Sequence, residues 1–335
     1  MQSLVSVVIP THNDAEYVKD AITSALNQSY SNVEIVVVDD GSSDNTREVL
    51  KPYILNGSIK YIFQKNKGLS GARNTAIRAS KGDFIALLDA DDLFLPQKIE
   101  RQVEHFKKNK QCDISYCDIY HFYDKKPLDV MELQYDYYSN GDVLPNLIKG
   151  NFIAPLAVVA KRSVFERFGF FDERMKRSED LEFWIRVVLG GGVIKFLPET
   201  LAKLRIRTQN NLQDFASQPL VKKTKLDILD RLNDNLSVSQ KRQYRLNFYR
   251  SRQAANVAAA YFLAQQDRKK AYKFLNQAVL IYPLNLTWLI LLYMFFLLFP
   301  SAWAPSALKF YYKVKNSIVF KKAKYASNKS FSSKV

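Results

Sequence analysis

The chain has 335 residues, of which 47% are hydrophobic and 24% are charged, a composition that excludes a largely disordered protein and allows one large α/β domain with an appendage. Residues 1–200 carry 25 basic and 28 acidic side chains, whereas residues 201–335 carry 24 basic and only 5 acidic ones. We therefore expect a change of surroundings near residues 200–215, with the basic part facing an anionic phospholipid surface in preference to nucleic acid.

Cysteine and histidine are too sparse for a metal cluster of the zinc type. Cys112 and Cys117 are the only cysteines and the three histidines are scattered, so a reduced, cytosolic compartment is the default expectation. The N-terminus lacks a basic region and has only a short apolar run before Pro10, which predicts a first core strand in place of a secretory signal.

The first part of the chain alternates strand and helix patterns. Apolar, β-branched runs predict strands at residues 5–9, 35–38, 59–63, 84–88 and 152–160. Helical spacing predicts helices at residues 17–27, 45–51, 72–80, 96–109, 163–168 and 180–189. Because parallel neighbours require crossover connections, this alternation predicts an α/β protein with a doubly wound, mostly parallel sheet, which binds ligands at the carboxyl ends of its strands.

Three aspartates, Asp89, Asp91 and Asp92, directly follow the fourth predicted strand. One of them, Asp92, could cap the helix predicted at residues 96–109. The other two form a D-x-D pair of like charges, which is unfavourable unless a cation offsets it. A calcium loop of the EF-hand type is excluded, because its glycine position is occupied by Phe94.

The C-terminal part has a different pattern. Residues 252–283 predict two helices joined near residues 266 and 267, similar to a single tetratricopeptide-type pair. Residues 286–299 are almost purely apolar and are followed by six lysines between residues 309 and 324. A membrane span needs about 20 residues, which extension to Trp303 approaches. The flanking charge favours membrane contact at residues 286–303, with a buried soluble helix as the alternative.

Five short motifs follow one another at natural spacing: VVIPTHN (7–13), VVVDDGSSDNT (36–46), NKGLSGARNTAI (66–77), LLDADD (87–92) and SEDLEFWIRVV (178–188). Together they resemble the family 2 glycosyltransferases of the GT-A fold. The resemblance implies a GT-A catalytic domain at residues 1–210. It leaves a helical region with the tetratricopeptide-like pair at 211–283, and a membrane-contact segment with a basic tail at 284–335.

The resemblance also implies a donor pocket. Asp39 would accept a hydrogen bond from the uracil N–H, and Thr11 and Asn13 would line the same base and ribose pocket. Arg73 would present a fixed positive fork to phosphate. The alternatives are a turn or cap for Asp39 and a solvated surface charge for Arg73.

The catalytic residues are implied in the same way. Asp91 would hold Mg²⁺ or Mn²⁺ against the diphosphate, and Asp89 would assist at the ribose or through water. Asp180 would be the general base and Glu179 would orient it or contact the acceptor, although both could instead serve only the helix dipole. Arg207 stands where many relatives have a metal-binding histidine. It would pair with the diphosphate directly and weaken the dependence on metal.

The predicted function is that of an inverting glycosyltransferase. It would move a sugar from a nucleotide-sugar donor, expected to be UDP-linked, to a hydroxyl of a lipid-linked or polysaccharide acceptor. It would act at the cytoplasmic face of the membrane, peripherally or with a single-span anchor. A nucleotidyltransferase is disfavoured because PTHNDAEY is not a glycine-rich basic loop. A non-catalytic nucleotide-binding scaffold is the alternative from another class.

Overall fold

The computed structural model describes residues 2–123, 132–133, 142–207, 211–265 and 267–283. The chain divides into two compact units at residues 208 and 209. The apolar segment predicted at 286–303 lies outside the described residues. Among the helices of the described ranges, none is long and apolar enough to cross a membrane.

The first unit is an α/β structure, which confirms the predicted class. Its strands are β1 (Val5–Thr11), β2 (Val33–Asp39), β3 (Lys60–Phe63), β4 (Phe84–Leu87), β5 (Leu93–Phe94), β6 (Ile114–Tyr123), β7 (Glu132–Leu133), β8 (Val158–Lys161) and β9 (Ile194–Ile206). Its helices are α1 (Val18–Leu26), α2 (Thr46–Leu55), α3 (Gly68–Ala79), α4 (Lys98–Lys108), α5 (Leu144–Lys149), α6 (Arg162–Phe168) and α7 (Glu179–Leu189).

The strands form one sheet in the order β3-β2-β1-β4-β8-β6-β9-β5, with β7 paired to β6. The pairs among β3, β2, β1 and β4 are parallel, as predicted. Beyond β4 the sheet is mixed, because β8 runs antiparallel to both β4 and β6, while β9 is parallel to β6. The predicted doubly wound, parallel arrangement therefore holds for the β3-β2-β1-β4 half of the sheet.

The strongest apolar runs of the sequence form central strands because these strands are buried on both faces. All seven residues of β1 are buried, as expected for a parallel strand covered by helices on both faces. On α1 the buried residues are Val18, Ala21, Ile22 and Ala25, the spacing of one helical face. Parallel pairing brings the carboxyl ends of β1, β2 and β4 to one edge, where Thr11 is in register with Asp39.

Two local predictions need correction. The strand predicted at 152–160 is shorter, because a 3-10 turn at Pro155–Ala157 precedes β8. The helix that Asp92 could have capped has Gln97 at its N-cap and no side-chain cap. Asp92 instead accepts a hydrogen bond from the backbone N–H of Arg205 at 2.9 Å.

The second unit is helical in its described residues. It comprises α8 (Asn211–Asn235), α9 (Val238–Gln243), α10 (Leu246–Gln265) and α11 (Arg268–Ile281). The last two form the predicted helix pair, and α8 also packs on α10, where Gln253 donates to the carbonyl of Lys222 at 2.7 Å. Small residues such as Ala254 and Ala278 are fully buried in the shared core, which allows the helices to approach closely.

Candidate active site

A cleft of about 320 Å³ lies at the carboxyl ends of β1 and β4. The residues that line it include Thr11, His12, Asp14, Asp40, Asp89 and Asp91. These residues come from the end of β1 and the turn after it, from the position directly after β2, and from the turn after β4. The cleft is therefore where parallel α/β sheets bind ligands.

Thr11 and Asn13, both predicted to line the base pocket, have different surroundings. Thr11 lines the cleft, is buried, and its Oγ1 has no hydrogen-bond partner within the described ranges. The Asn13 side chain instead accepts from the backbone N–H of Ser43 at 2.8 Å. Asn13 thus ties the turn after β1 to the loop after β2, and Thr11 is the one with an available polar group.

Asp39 is buried at the end of β2 and is 1% exposed. Its Oδ1 accepts from the N–H of Ser42 at 2.8 Å and its Oδ2 accepts from the hydroxyl of Tyr61 at 2.9 Å. Burial, followed by the contact with Asp39, raises the pKa of Tyr61 above its ordinary value. Asp39 therefore organises the start of the next loop.

The motifs did not assign a role to Asp40, which lines the cleft. Its carboxylate accepts from the backbone N–H of Lys67 at 2.9 Å and of Gly68 at 2.8 Å, and from the Gln64 amide at 2.6 Å. Gly68 starts α3 with φ of +79°, a conformation that favours glycine. Asp40 thus fixes the N-terminus of α3 against the cleft. Successive side chains of a strand point in opposite directions, and this alternation at the end of β2 was the sequence signal that could have given Asp40 a role different from that of Asp39.

Arg73 connects two of the predicted catalytic carboxylates. The side chain is 1% exposed, Nη2 donates to Asp89 Oδ1 at 2.8 Å, and Nη1 donates to Glu179 Oε1 at 3.0 Å. Its guanidinium also lies 5.0 Å from the centroid of the Phe171 ring. Burial acts against the charge, but Asp89 and Glu179 together raise the pKa of Arg73 above its ordinary value. Both Nη groups are thus bonded to carboxylates, not free to form the predicted fork for phosphate.

Arg207 reaches the other carboxylate of the D-x-D pair. Its Nε lies 2.7 Å from Asp91 Oδ2, and its Nη2 donates to Asp14 Oδ1 at 2.6 Å. The guanidinium stacks 4.4 Å from the centroid of Tyr17. Burial raises the pKa of Asp91, while Arg207 opposes that rise. Arg207 therefore lies beside the D-x-D pair, and Asp14 is a partner that the motifs did not indicate.

The third aspartate of the opening motif has a structural role. Asp92 is 5% exposed and binds the Arg205 backbone, while the Arg205 Nε donates to the carbonyl of Asp91 at 2.8 Å. Burial, and then the charges of Asp91 and Asp89, raise the pKa of Asp92 well above its ordinary value. Asp92 thus fastens the end of β9 to the turn that carries the D-x-D pair.

Asp180 lies in the first turn of α7, directly after Glu179. Its Oδ2 accepts from the Asn151 amide at 2.6 Å and its Oδ1 accepts from the N–H of Leu181 at 2.8 Å. Burial, with the neighbouring charge of Glu179, raises the pKa of Asp180 to about 6. A carboxylate with a pKa near neutrality is suited to accept a proton at physiological pH. Asn151, which orients it, carried no signal in the sequence.

The D-x-D pair also fits a divalent cation, judged by its donor set. Asp89 and Asp91 both line the cleft, and each carboxylate has one oxygen in contact with an arginine and one further oxygen. Among the described residues, no three His, Cys, Asp or Glu side chains group as a metal site. Mg²⁺ is commonly bound by only one or two carboxylates together with substrate phosphates and water. Two carboxylates are thus sufficient when a diphosphate supplies further ligands.

Comparison with known proteins identifies the family. The model of the family "Glycosyl transferase family 2" matches residues 6–169. An uncharacterized glycosyltransferase of Methanocaldococcus jannaschii is 30% identical over 62% of this chain and 72% of its own length. Another from Nostoc sp. is 35% identical over 64% and 68%. The chain belongs to glycosyl transferase family 2. A relative from Rickettsia typhi is 34% identical, and the match spans only 64% of its length.

Solved structures share the fold of this family member. S. aureus TarS 1–349 in complex with UDP-GlcNAc superimposes with a TM-score of 0.61 at 16% identity, over 83% of this chain and 81% of that one. A mannosyltransferase from Pyrobaculum calidifontis in complex with GDP-Man and Mn²⁺ gives a TM-score of 0.56 at 17% identity, over 89% and 88%. The chain accordingly shares the fold of these two proteins.

Proposed function

We propose that the protein is an inverting glycosyltransferase that moves a sugar from a nucleotide-sugar, UDP-linked, to a hydroxyl of a lipid-linked or polysaccharide acceptor. The observation that supports this best is the buried bridge formed by Arg73. It binds Asp89 in the cleft and Glu179 at the start of α7, and the next residue is Asp180. One arginine thus holds the donor side and the candidate base in a fixed relation, which suits a reaction between two positioned substrates.

Asp180 is the proposed general base. Its pKa of about 6 leaves it mostly ionised at neutral pH, and Asn151 holds the carboxylate in one orientation. It would remove the proton of the acceptor hydroxyl as that oxygen attacks the anomeric carbon from the side opposite the leaving nucleotide. A single displacement of this kind inverts the anomeric configuration. Glu179, bound to Arg73, would keep the helix start and the base in position.

The nucleotide would bind in the cleft described above. Thr11 offers a hydroxyl that has no partner among the described residues, and Asp40 adds a buried carboxylate to the wall of the cleft. Asp39 would accept from the uracil N–H. Its ionised carboxylate has about four acceptor positions, of which Ser42 and Tyr61 use two, although the side chain is 1% exposed and does not itself line the cleft. Asn13 would act indirectly, by holding the two loops that form the pocket.

Mg²⁺ or Mn²⁺ is the proposed cofactor, held by Asp91 with assistance from Asp89. When bound, the ion would supply Lewis-acid stabilisation of the diphosphate leaving group. The Mn²⁺ in the Pyrobaculum calidifontis complex supports this choice. Arg207 lies beside Asp91 and would add a second, permanent positive charge near the phosphates, as its position implied.

The proposed location is the cytoplasmic face of the membrane, with peripheral or single-span attachment. Support comes from the sequence of the C-terminal part, which has 24 basic and 5 acidic residues after residue 200 and an apolar run at 286–299 that can extend to Trp303. Basic residues beside an apolar segment bind anionic lipids. A membrane location would bring the enzyme to lipid-linked acceptors.

The test is a donor panel of UDP-, GDP- and dTDP-sugars with Mn²⁺, in which released nucleotide is measured with the purified full chain and with Asp180→Asn. We expect one donor to support nucleotide release with water as the acceptor of the sugar. NMR should show inverted anomeric configuration in the released sugar before it mutarotates. Tight nucleotide binding without release from any donor would favour the non-catalytic scaffold. A retained configuration would contradict the proposed role of Asp180.

A further inference from the structure

A second cavity, of about 360 Å³, adjoins the cleft and shares Asn66, Gly68 and Leu69 with it. Its remaining wall is formed by Lys67, Ser70, Glu173, Arg174, Met175, Lys176 and Glu179. The D-x-D carboxylates line the first cleft and are not part of this wall. The second cavity is therefore separate from the place where a metal-bound diphosphate would lie.

Each carboxylate of the second cavity is paired with an arginine. Glu179 is bound by Arg73. Glu173 accepts from the Asn74 amide at 2.9 Å and pairs with Arg78 at 3.6 Å. These pairs reduce the repulsion that the two carboxylates exert on an incoming anion, although Arg73 is shared between Glu179 and Asp89.

The cations of the second cavity are not neutralised to the same degree. Arg174 is paired with Asp172 at 2.8 Å. Lys67 and Lys176 are exposed, and within the described ranges their ammonium groups have no carboxylate or hydrogen-bond partner. Two unpaired positive charges thus face the same cavity, which gives it a net attraction for anions.

A buried hydroxyl in the same wall also lacks a partner. Ser70 is 3% exposed, and its Oγ has no hydrogen bond within the described part of the chain. A buried polar group without a partner is unfavourable, and a bound ligand with an acceptor oxygen would satisfy it. Leu69 and Met175 add apolar surface beside it, which suits the nonpolar face of a sugar or a short aliphatic chain.

We propose that the second cavity is the acceptor subsite and that it takes an acceptor bearing a phosphate or carboxylate group, bound by Lys67 and Lys176. This inference rests on the proposed glycosyl transfer. The location agrees with it, because Glu179 in the cavity wall directly precedes the candidate base Asp180. The shared residues Asn66, Gly68 and Leu69 place donor and acceptor on neighbouring surfaces.

Titration calorimetry tests the proposal on the full chain saturated with UDP and Mn²⁺. The probes are glycerol 3-phosphate, glycerate and glycerol, which present a phosphate, a carboxylate and no charge. We expect at least one anion to bind and glycerol not to bind, and the anion that binds more tightly identifies the acceptor group. The double variant Lys67→Met/Lys176→Met should weaken that binding at least about tenfold, since hydrogen bonds to charged groups are among the stronger ones.

The matched control is Lys51→Met/Lys107→Met, which removes the same charge from exposed positions on α2 and α4. It should bind the anion as the wild type does. Equal binding by the two double variants, or no binding of either anion to the UDP complex, would overturn the acceptor subsite. The initial UDP titration separates the two levels of the argument, because a failure of UDP to bind would instead contradict the proposed function.

Discussion

A buried lysine at the start of α4 should make the stability of the first unit depend on pH. Lys98 is 0% exposed, its Nζ donates to Gln102 Oε1 at 2.6 Å, and it lies 4.2 Å from the centroid of the Phe94 ring. No carboxylate contacts it within the described residues. Burial lowers the pKa of Lys98 from 10.5 to about 8, because removal of the ammonium group from water disfavours its charge.

The magnitude follows from that fall in pKa. Unfolding returns Lys98 to water and to a pKa near 10.5, so between pH 8 and 10.5 the unfolded chain binds more protons than the folded chain. The free energy of unfolding therefore rises with pH across this window, and the full penalty is present below about pH 8. The difference corresponds to about 3 kcal/mol, at 1.36 kcal/mol for each pKa unit.

The assay is urea unfolding of the wild type and of Lys98→Met at pH 7 and at pH 10.5. Methionine keeps most of the volume but removes the titrating group, and the orphaned Gln102 oxygen lowers stability equally at both pH values. The wild type should thus gain about 3 kcal/mol more than the variant between the two conditions. Lys107→Met, on the exposed side of the same helix, should follow the wild type. The same pH dependence in Lys98→Met and the wild type would refute the reasoning.

The remaining predictions concern the candidate site and the membrane. Arg207→Met should tighten Mn²⁺ binding roughly fivefold, because a partly exposed ion pair contributes about 1 kcal/mol. Titration calorimetry checks this, with Arg207→Lys as the charge-preserving control, and weaker Mn²⁺ binding by Arg207→Met would contradict it. Asp91→Asn should remove the metal-dependent part of UDP binding with little change in Tm, and unchanged calorimetric binding would exclude the metal role. Asp180→Asn should keep donor affinity and lower turnover by about 10²-fold or more. Turnover of the wild type should rise as the pH increases through about 6. Near-normal turnover in the variant would show that Asp180 serves only the start of the helix. The full chain should float with anionic liposomes, since each basic residue near a bilayer contributes about 1 kcal/mol, and a chain ending at residue 283 should not; equal flotation would locate the membrane contact elsewhere.

The elements that could be predicted from the sequence are those with a local signal. The β4 run is apolar and ends abruptly in charge, so both the strand and the position of Asp89 and Asp91 at its carboxyl end follow from adjacent residues. The same holds for α1, whose buried positions repeat at helical spacing. In each case the packing environment reinforces the local preference of the segment.

β9 shows why other parts could not be predicted. The strand contains Pro198 and Glu199, which ordinarily argue against a central strand. The structure accommodates them as an irregularity in register: Cys117 is opposite Leu197, while the next residue, Asp118, is opposite Thr200. Beyond the bulge, the rest of β9 stays paired with β6, and Arg205 and Arg207 at its end contact Asp91. A local pattern holds no information about such a compensation.

The bridges of the site were also beyond the reach of local patterns. Arg73 and Glu179 are separated by 106 positions in the chain, and Arg207 and Asp14 by 193. Each pair depends on the sheet order that places β4 and β9 relative to the helices. The motifs could supply the residue types, but the assignment of each arginine to particular carboxylates required the fold.

Those bridges give the site a definite charge. Asp14, Arg207 and Asp91 form one series and Asp89, Arg73 and Glu179 form another, so each series has two carboxylates and one guanidinium. If all six groups are ionised, the sum is −2. This charge repels a diphosphate, yet it equals the charge that one divalent cation neutralises. Arg207 reduces the demand for metal without removing it. Its replacement should therefore tighten Mn²⁺ binding, and in the wild type the ion should still strengthen donor binding.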